Sequence, residues 1–208
     1  PSLWTTLTFK HTKADQAVCK SYNRYMADAC GQALDRLRWI TVLPASDVDA
    51  AIGELHYAKA NGGCGATFRG WEGDHHPTSP YFFPVYEEAE RLGLPICFHA
   101  GIGNETVNDF LMGAPDRGNI QRFKWPVMGA FHSLLLSDVP KRFPQLRFGF
   151  IEAGASWIPY LLGDLTRRVA WTNGTTNDTG PTDHMLRDNN LFVTCQTNDD
   201  LPYVMKYS

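Results

Sequence analysis

The chain has 208 residues, of which 43% are hydrophobic and 20% are charged. This balance predicts one globular domain over residues 1–208 with a sizeable core. The net charge is −3 and the pI is near 6.2, with Lys and Arg scattered, which excludes the basic patch typical of nucleic-acid-binding or membrane-surface proteins. We therefore expect a small-molecule substrate, and neither nucleic acid nor membrane as a partner.

The sequence shows no targeting segment. No apolar run approaches the roughly 20 residues that cross a bilayer, and the N-terminus lacks a signal-peptide pattern. The five cysteines are widely spaced and form no CxxC motif, which favours reduced thiols and a cytoplasmic location. The chain begins at Pro1 rather than at a methionine, so we expect it to be part of a longer gene product.

Helix-like and strand-like patterns alternate along the chain. In chain order they predict a helix over 14–37, a strand over 38–43, a helix over 47–63, a strand over 64–69, a helix over 79–93, a strand over 95–99, a helix over 124–144, a strand over 146–152, a helix over 156–171 and a strand over 191–196. Pro140 is a candidate point of interruption in the helix over 124–144. Short strands that alternate with longer helices are typical of right-handed βαβ units, so the fold class is α/β with a parallel sheet.

Two parallel-sheet arrangements compete, an open doubly wound sheet and a closed (β/α)8 TIM barrel. No G-x-G-x-x-G motif opens a helix, whereas polar side chains end four different strands at Arg69, His99, Glu152 and Gln196. Chemistry collected at the carboxyl ends of several strands favours the barrel. Only five strands are predicted where a barrel needs eight, so either the barrel is incomplete within these residues or the fold is a smaller open sheet.

His99 is the first candidate site residue. It ends the buried-strand pattern "GLPICFHAG" at 93–101 and is followed by small residues, so its ring is expected to project into the mouth of the barrel. A strand-end imidazole is a common ligand for Zn²⁺ or a similar ion. The alternative is a histidine that is hydrogen-bonded in the core or that caps a loop.

Glu152 is the second candidate. In "FGFIEAGASW" at 148–157 the apolar strand ends by exposing this carboxylate where it meets the next helix. Any burial of the carboxylate there would need a partner, because its desolvation is costly. A general base, a metal ligand or a partner of a metal ligand would each explain it. The alternative is a carboxylate that stabilises the N-terminus of the helix that begins near Ser156.

Arg69 follows a strand and has the geometry to bind a substrate carboxylate with two hydrogen bonds, although an ion pair across strand ends is the slightly favoured alternative. Trp71 and Trp157 are candidate apolar walls of the substrate pocket. The "DHH" run at 74–76 resembles a metal site, but adjacent histidines rarely face one ion, so a lid or solvated loop is the favoured interpretation.

Two blocks, "PVYEEAERLGLPICFHAG" at 84–101 and "VPKRFPQLRFGFIEAGASWIPYLLGDLTRR" at 139–168, resemble the amidohydrolase-related branch of the amidohydrolase superfamily, which includes aminocarboxymuconate-semialdehyde decarboxylase and γ-resorcylate decarboxylase. The flanking "NRYMADAC", "DRLRWITVLPASDVDAAIGEL" and "LFVTCQTNDDLPYVMKYS" look like the same family's earlier and later units. The resemblance thus covers nearly the whole chain.

The resemblance implies a TIM barrel that holds one divalent metal through a His-x-His pair on strand one, a His on strand five and an Asp on strand eight. His99 matches the strand-five ligand. The sequence contains no His-x-His, so the other ligands are expected outside residues 1–208 and the chain is expected to cover about strands three to seven. Glu152 stands where the family's decarboxylases carry a catalytic His, so their mechanism does not transfer directly.

The expected function is a metal-dependent hydrolase that acts on a small, carboxylate-bearing metabolite. The ion, with zinc expected first and manganese or iron as alternatives, would lower the pKa of a bound water toward about 7 and produce the nucleophile. Glu152 would accept a proton or orient a ligand, and Arg69 would orient the substrate. The alternatives are a non-oxidative decarboxylase of an aromatic or unsaturated acid, an iron or manganese oxygenase, and a non-catalytic subunit of a hetero-oligomer; a homodimer is also expected by analogy.

Overall fold

Five parallel strands make up the sheet that carries the site. The computed structural model describes residues 10–112, 120–172 and 184–207. The strands are β1 (Trp39–Val42), β2 (Gly63–Arg69), β3 (Ile96–His99), β4 (Phe148–Ile151) and β5 (Leu191–Val193). Each strand pairs in parallel with the next one in the chain. Strictly sequential parallel order is that of a barrel wall, whereas a doubly wound sheet reverses its strand order at a switch point.

Helices connect the strands and cover one face of the sheet. They are α1 (Thr12–Gly31), α2 (Val48–Ala60), α3 (Phe83–Leu92), α4 (Glu105–Met112), α5 (Ile120–Phe123), α6 (Trp125–Leu136), α7 (Val139–Arg142), α8 (Ile158–Thr172), α9 (Met185–Asp188) and α10 (Leu201–Tyr207), with a 3-10 turn at Pro80–Phe82. Within the described ranges, none of these helices has the length and apolarity that a membrane span requires.

The five predicted strands are all present, and the differences lie in element ends. The first helix ends at Gly31 rather than near 37, and β5 ends at Val193 rather than at 196. The helix predicted over 124–144 is interrupted at Ser137, which is extended with ψ of 170°, and not near Pro140. The short helices α4, α5, α9 and α10 were not predicted, since a few helical turns leave little periodic signal.

Local sequence signals explain where two helices begin and end. The Asp47 side chain accepts a hydrogen bond from the Ala50 amide at 2.9 Å and so caps α2, as predicted. Gly93 ends α3 in the left-handed conformation with φ of 68°, which a residue with a side chain seldom adopts. Strand β3 follows directly, so this turn sets the position of His99.

The helix-covered face of the sheet forms the main hydrophobic core. Alternate strand residues point into it and are almost fully buried: Phe68, Ile96, Phe98, Phe148, Phe150 and Leu191. The Phe98 ring stacks against those of Phe148 and Phe150, at centroid distances of 6.3 and 5.7 Å. Full burial of each such side chain contributes about 1.5–3 kcal/mol, so this core fixes the strand register.

The opposite face carries the other alternate residues. One row across the strands is Thr67, Cys97, Gly149 and Phe192, and the row nearer the carboxyl ends is Arg69, His99 and Ile151. Phe192 is 58% exposed on this face. In a barrel this face points toward the interior, which brings the second row to the mouth.

The outer edge of β1 is occupied by a side chain of α1. Asn23 is fully buried, and its amide donates to the Val42 carbonyl and accepts from the Val42 amide, both at 2.9 Å. The same amide donates to Glu54 at 2.8 Å. Asn23 thus satisfies an edge position that would otherwise leave backbone groups unpaired.

Candidate active site at the carboxyl ends of the strands

The strand register places three predicted positions side by side. Arg69 pairs with His99 across β2 and β3, and His99 pairs with Ile151 across β3 and β4. Glu152 follows Ile151 directly. Active sites of barrels lie at this end of the strands, so the structure brings the predicted candidates of three strands to one place.

His99 and Glu152 form the centre of the site. His99 Nε2 lies 2.8 Å from Glu152 Oε2, and the two side chains are 21% and 63% exposed. Glu152 projects from the strand end into open space, so its carboxylate is exposed where the strand meets the next helix, as the sequence pattern predicts. The expected proximity of the imidazole to the carboxylate is what the structure shows.

The hydrogen bonds of His99 fix the orientation of its ring. Nδ1 is 2.9 Å from the Ala100 carbonyl oxygen, which only accepts, so Nδ1 carries the proton of that bond. Nε2 is therefore the ring nitrogen that faces the site and the Glu152 carboxylate. A ring held through Nδ1 is the usual arrangement of a metal-binding histidine.

The backbone of Glu152 is held in an unusual conformation. Its φ is 62°, a left-handed value that costs roughly 1–2 kcal/mol for a residue with a Cβ. The Glu152 amide donates to Thr194 Oγ1 at 3.4 Å, which ties the turn to the end of β5. Strain of this kind persists where the surroundings impose it, and it is concentrated at functional sites.

Asp199, which the sequence did not single out, takes the helix-stabilising role considered for Glu152. Its carboxylate accepts hydrogen bonds from the backbone amides of Ala155, Ser156 and Gln196 at 2.8, 3.1 and 2.6 Å. It also accepts one from the Ser156 hydroxyl at 2.6 Å. Partial burial opposes ionisation of the carboxyl, but these hydrogen bonds outweigh it and lower its pKa to about 2. The Ala155 and Ser156 amides are thus bound by Asp199 and not by Glu152, whose carboxylate lies against His99 instead.

Arg69 forms a buried ion pair with Glu72. Both side chains are less than 5% exposed, and Arg69 Nη2 lies 2.6 Å from Glu72 Oε2. The Glu72 carboxylate also accepts from Arg69 Nε and, at 2.7 Å, from the Arg69 backbone amide. An ion pair was the favoured alternative, but its partner lies three residues along the chain rather than across strand ends. Glu72 was missed because a single i, i+3 carboxylate carries no distinctive sequence signal.

The Arg69–Glu72 pair also joins the two loops that follow β2 and β3. The backbones of Glu72 and Gly103 form an isolated parallel β-bridge, in which the Gly103 amide donates to the Trp71 carbonyl at 2.8 Å. A Cβ on Gly103 would collide with Glu72 Oε2, so a side chain at 103 would displace the pair. The loop beside His99 is therefore fixed by buried charges.

The two tryptophans proposed as pocket walls are placed differently. Trp71 is partly buried in the loop after β2, next to the ion pair, so its role as a wall stays a prediction. The Trp157 ring packs against Phe131 at 5.0 Å, and Phe131 packs against Phe150 on the helix-covered face. Trp157 therefore lies on the side of the sheet away from His99, and the placement does not support it as a wall.

The histidines of the "DHH" run point to different partners. The His75 ring stacks on Tyr81 at 3.9 Å, and His76 Nε2 lies 3.4 Å from Ser133 Oγ. Burial lowers the pKa of His76. These neighbours agree with the loop interpretation and not with a shared ion.

A lysine that the sequence reasoning missed reaches the same end of the sheet. Lys124, between α5 and α6, is partly buried, and its Nζ donates to Gln196 Oε1 at 3.4 Å. Gln196 lies three residues beyond the end of β5 rather than at the strand end predicted for it. The only sequence cue for Lys124 is its position in the long connection after β3.

His99 is a suitable ligand for a divalent ion, since imidazole nitrogen binds zinc and manganese. Its Nε2 lies 2.8 Å from the Glu152 carboxylate, which is placed to exchange a proton beside such an ion. Within the described ranges no group of three or more His, Cys, Asp or Glu side chains could hold a metal. His99 would thus supply only part of a ligand set.

Comparisons with known proteins agree with this geometry. The family model Amidohydro_2, described as Amidohydrolase, matches residues 1–181. No curated protein matches the chain significantly. Among solved structures, 5-carboxyvanillate decarboxylase from Sphingomonas paucimobilis is similar with a TM-score of 0.76 and 18% identity, over 100% of this chain and 62% of that one.

Two further similar structures contain manganese. The dihydroxybenzoic acid decarboxylase from Polaromonas sp. JS666, with bound manganese and 2-nitroresorcinol, has a TM-score of 0.63 and 18% identity over 90% of this chain and 59% of that one. The 5-carboxyvanillate decarboxylase from Novosphingobium aromaticivorans, with manganese and 4-hydroxy-3-methoxy-5-nitrobenzoic acid, has a TM-score of 0.67 and 19% identity over 92% and 56%. The chain spans about three fifths of the length of these proteins. It belongs to the amidohydrolase family, and its five strands are those of a partial TIM barrel.

Proposed function

We propose that this chain carries part of the active site of a metal-dependent carboxy-lyase that removes CO₂ non-oxidatively from a small aromatic or unsaturated acid. The observation that carries the proposal is the His99–Glu152 pair, 2.8 Å apart at the carboxyl ends of adjacent strands. The decarboxylases of similar fold support the lyase over the hydrolase. The decarboxylase, which the sequence suggests as an alternative to a hydrolase, is therefore favoured.

Glu152 has the position of a proton donor. When the bond to the departing carboxylate breaks, its electron pair stays on the substrate carbon, which must take up one proton. The Glu152 side chain is 63% exposed, so it can give that proton to a bound substrate and regain one from water. Its left-handed backbone, held by Thr194, keeps the carboxyl group at the strand end.

His99 has the position of a metal ligand. The Ala100 carbonyl fixes the ring through Nδ1 and leaves Nε2 for the ion. A divalent metal, manganese or zinc, would when bound supply the positive charge that holds and polarises an oxygen of the substrate. His99 would therefore be needed for metal content, whereas Glu152 would be needed chiefly for turnover.

Hydrolysis is the second candidate, since the matching family model is described as an amidohydrolase. Here Glu152 would accept a proton from the attacking water instead of delivering one to carbon. Because the same two residues serve both reactions, the product distinguishes them. Release of CO₂ from an acid marks the lyase, and cleavage of a lactone or amide marks the hydrolase.

The test uses the full-length protein that contains this chain, loaded with Mn²⁺ or Zn²⁺. Bound metal is measured by elemental analysis in the unmodified protein, in His99→Ala and in the control His56→Ala, whose ring is exposed beside Glu88. We expect His99→Ala to lose most of the metal and the control to keep it.

The same preparations are assayed for CO₂ release from 5-carboxyvanillate and 2,6-dihydroxybenzoate, and for hydrolysis of lactones and amides. We expect CO₂ release that is abolished in His99→Ala and reduced at least a hundredfold in Glu152→Gln. Hydrolysis without CO₂ release would favour the second candidate. Full metal content in His99→Ala would refute the ligand assignment.

A further inference from the structure

We infer that Lys124 and Gln196 form a subsite that binds a second carboxylate of the substrate, one that is not lost as CO₂. This inference rests on the proposed function and narrows its substrate class to small dicarboxylic acids. Its starting point is a contact between two distant parts of the chain. Lys124 Nζ donates to Gln196 Oε1 at 3.4 Å, across 72 residues of sequence.

The contact lies beside Glu152. A Cβ built on Gly154 would approach the same Gln196 Oε1 to 3.1 Å, and Gly154 is two residues from Glu152. The absence of a side chain at 154 leaves the space that the Gln196 side chain occupies. The Lys124 ammonium group therefore sits near the carboxyl ends of β4 and β5, on the edge of the proposed reaction centre.

The other charged groups near this point already have hydrogen-bond partners. Glu72 pairs with the buried Arg69 guanidinium, and the Asp199 carboxylate next to Gly154 accepts four hydrogen bonds from backbone and serine donors. In the part of the chain that the structure describes, no carboxylate forms an ion pair with Lys124. The Lys124 ammonium group is therefore open to a carboxylate of the substrate.

The partner that Lys124 has is a weak one. A distance of 3.4 Å is long for a hydrogen bond, and the acceptor is a neutral amide oxygen. A partly buried ammonium group gains more from a charge-assisted bond to a carboxylate, which is about twice as strong as a neutral one. A carboxylate at this point would accept from Lys124 Nζ and from the Gln196 amide once its side chain turns.

The test measures binding and does not require turnover. The metal-loaded full-length protein is titrated by calorimetry with isophthalate, which has two carboxylates, and with benzoate, which has one. We expect isophthalate to bind about tenfold more tightly in the unmodified protein. Lys124→Met should reduce the ratio of isophthalate affinity to benzoate affinity to about one without changing benzoate affinity. Lys124→Arg should retain part of the preference for isophthalate.

Lys141→Met is the matched control, because Lys141 is exposed beside Asp138 on α7; it should leave the ratio unchanged. An unchanged ratio in Lys124→Met, or no preference for isophthalate in the unmodified protein, would overturn the subsite. Failure of the proposed function is seen separately: CO₂ release would then be absent from every diacid, whatever the Lys124-dependent ratio. The Arg variant keeps the test valid if Lys124→Met is poorly folded.

Discussion

Arg69 and Glu72 form an ion pair that is almost completely removed from solvent, at the end of β2 and next to His99 in the strand register. Glu72 also accepts from the Arg69 backbone amide at 2.7 Å. The pair therefore fixes the turn that leaves the strand as well as the guanidinium. Its consequence for function is that the substrate-binding role predicted for Arg69 would require the substrate to compete with Glu72.

Glu72→Gln should destabilise the protein strongly. The substitution removes the carboxylate from a buried ion pair, which costs about 3–5 kcal/mol. The free energy of unfolding, measured in urea, reports this cost. Glu88→Gln is the matched control, since Glu88 pairs with Arg91 at the same spacing but Arg91 is 62% exposed. We expect the control to cost less than about 1 kcal/mol; equal costs for the two variants would contradict the buried pair.

Asp199→Ala should make stability less dependent on acid pH. The pKa of Asp199 is lowered from 3.8 to about 2 in the folded protein, so its contribution is complete above about pH 4 and is lost as the pH falls toward 2. At pH 7 the substitution should cost about 2 kcal/mol, the upper value for loss of a helix cap. Unfolding free energies of both proteins between pH 2 and pH 7 provide the measurement.

The difference between the two proteins should shrink as the pH falls from about 4 through about 2, the pKa range of the carboxyl group in the unfolded and folded states. Asp138→Ala, which removes an exposed carboxyl beside Lys141, is expected to leave the curve almost unchanged. A difference that stays constant over the whole pH range would show that the Asp199 hydrogen bonds do not depend on its charge.

At position 152 a glycine variant should be more stable than an alanine variant, whereas at a helical position the order should be reversed. Glu152 has φ of 62°, so Glu152→Gly relieves strain that Glu152→Ala retains, and the glycine variant should be more stable by about 1 kcal/mol. At Glu87, which is exposed on α3, alanine should be the more stable by about 1 kcal/mol. Thermal unfolding of the four variants measures both differences; an alanine advantage at 152 would contradict the left-handed backbone.

Asn23→Asp should weaken the edge of β1. The carboxylate can still accept from the Val42 amide, but it cannot donate to the Val42 carbonyl, and it meets the Glu54 carboxylate at the position where the amide donated. An unsatisfied buried acceptor and a like-charge contact together should cost at least about 3 kcal/mol. Asn61→Asp, at an exposed helix end, is the control and should cost less than about 1 kcal/mol.

The sequence by itself determined the α/β class and the five strands, and it selected His99 and Glu152 as candidates. The fold predictions are confirmed because strand and helix periodicity, the Asp47 cap and the Gly93 turn are local signals that the chain carries in consecutive residues. The resemblance to the amidohydrolase-related family likewise depends on contiguous blocks. Such features require no knowledge of which distant residues meet.

Only the tertiary structure decided how charges are paired around the site. Asp199, rather than Glu152, caps the turn before α8, and it comes from a segment more than 40 residues later. Lys124 meets Gln196 across 72 residues, and Trp157 turns toward Phe131 instead of the mouth. These outcomes depend on which side chains meet when the strands align. The free energies of charge pairing and desolvation decide among the possible partners, and no local sequence pattern encodes them.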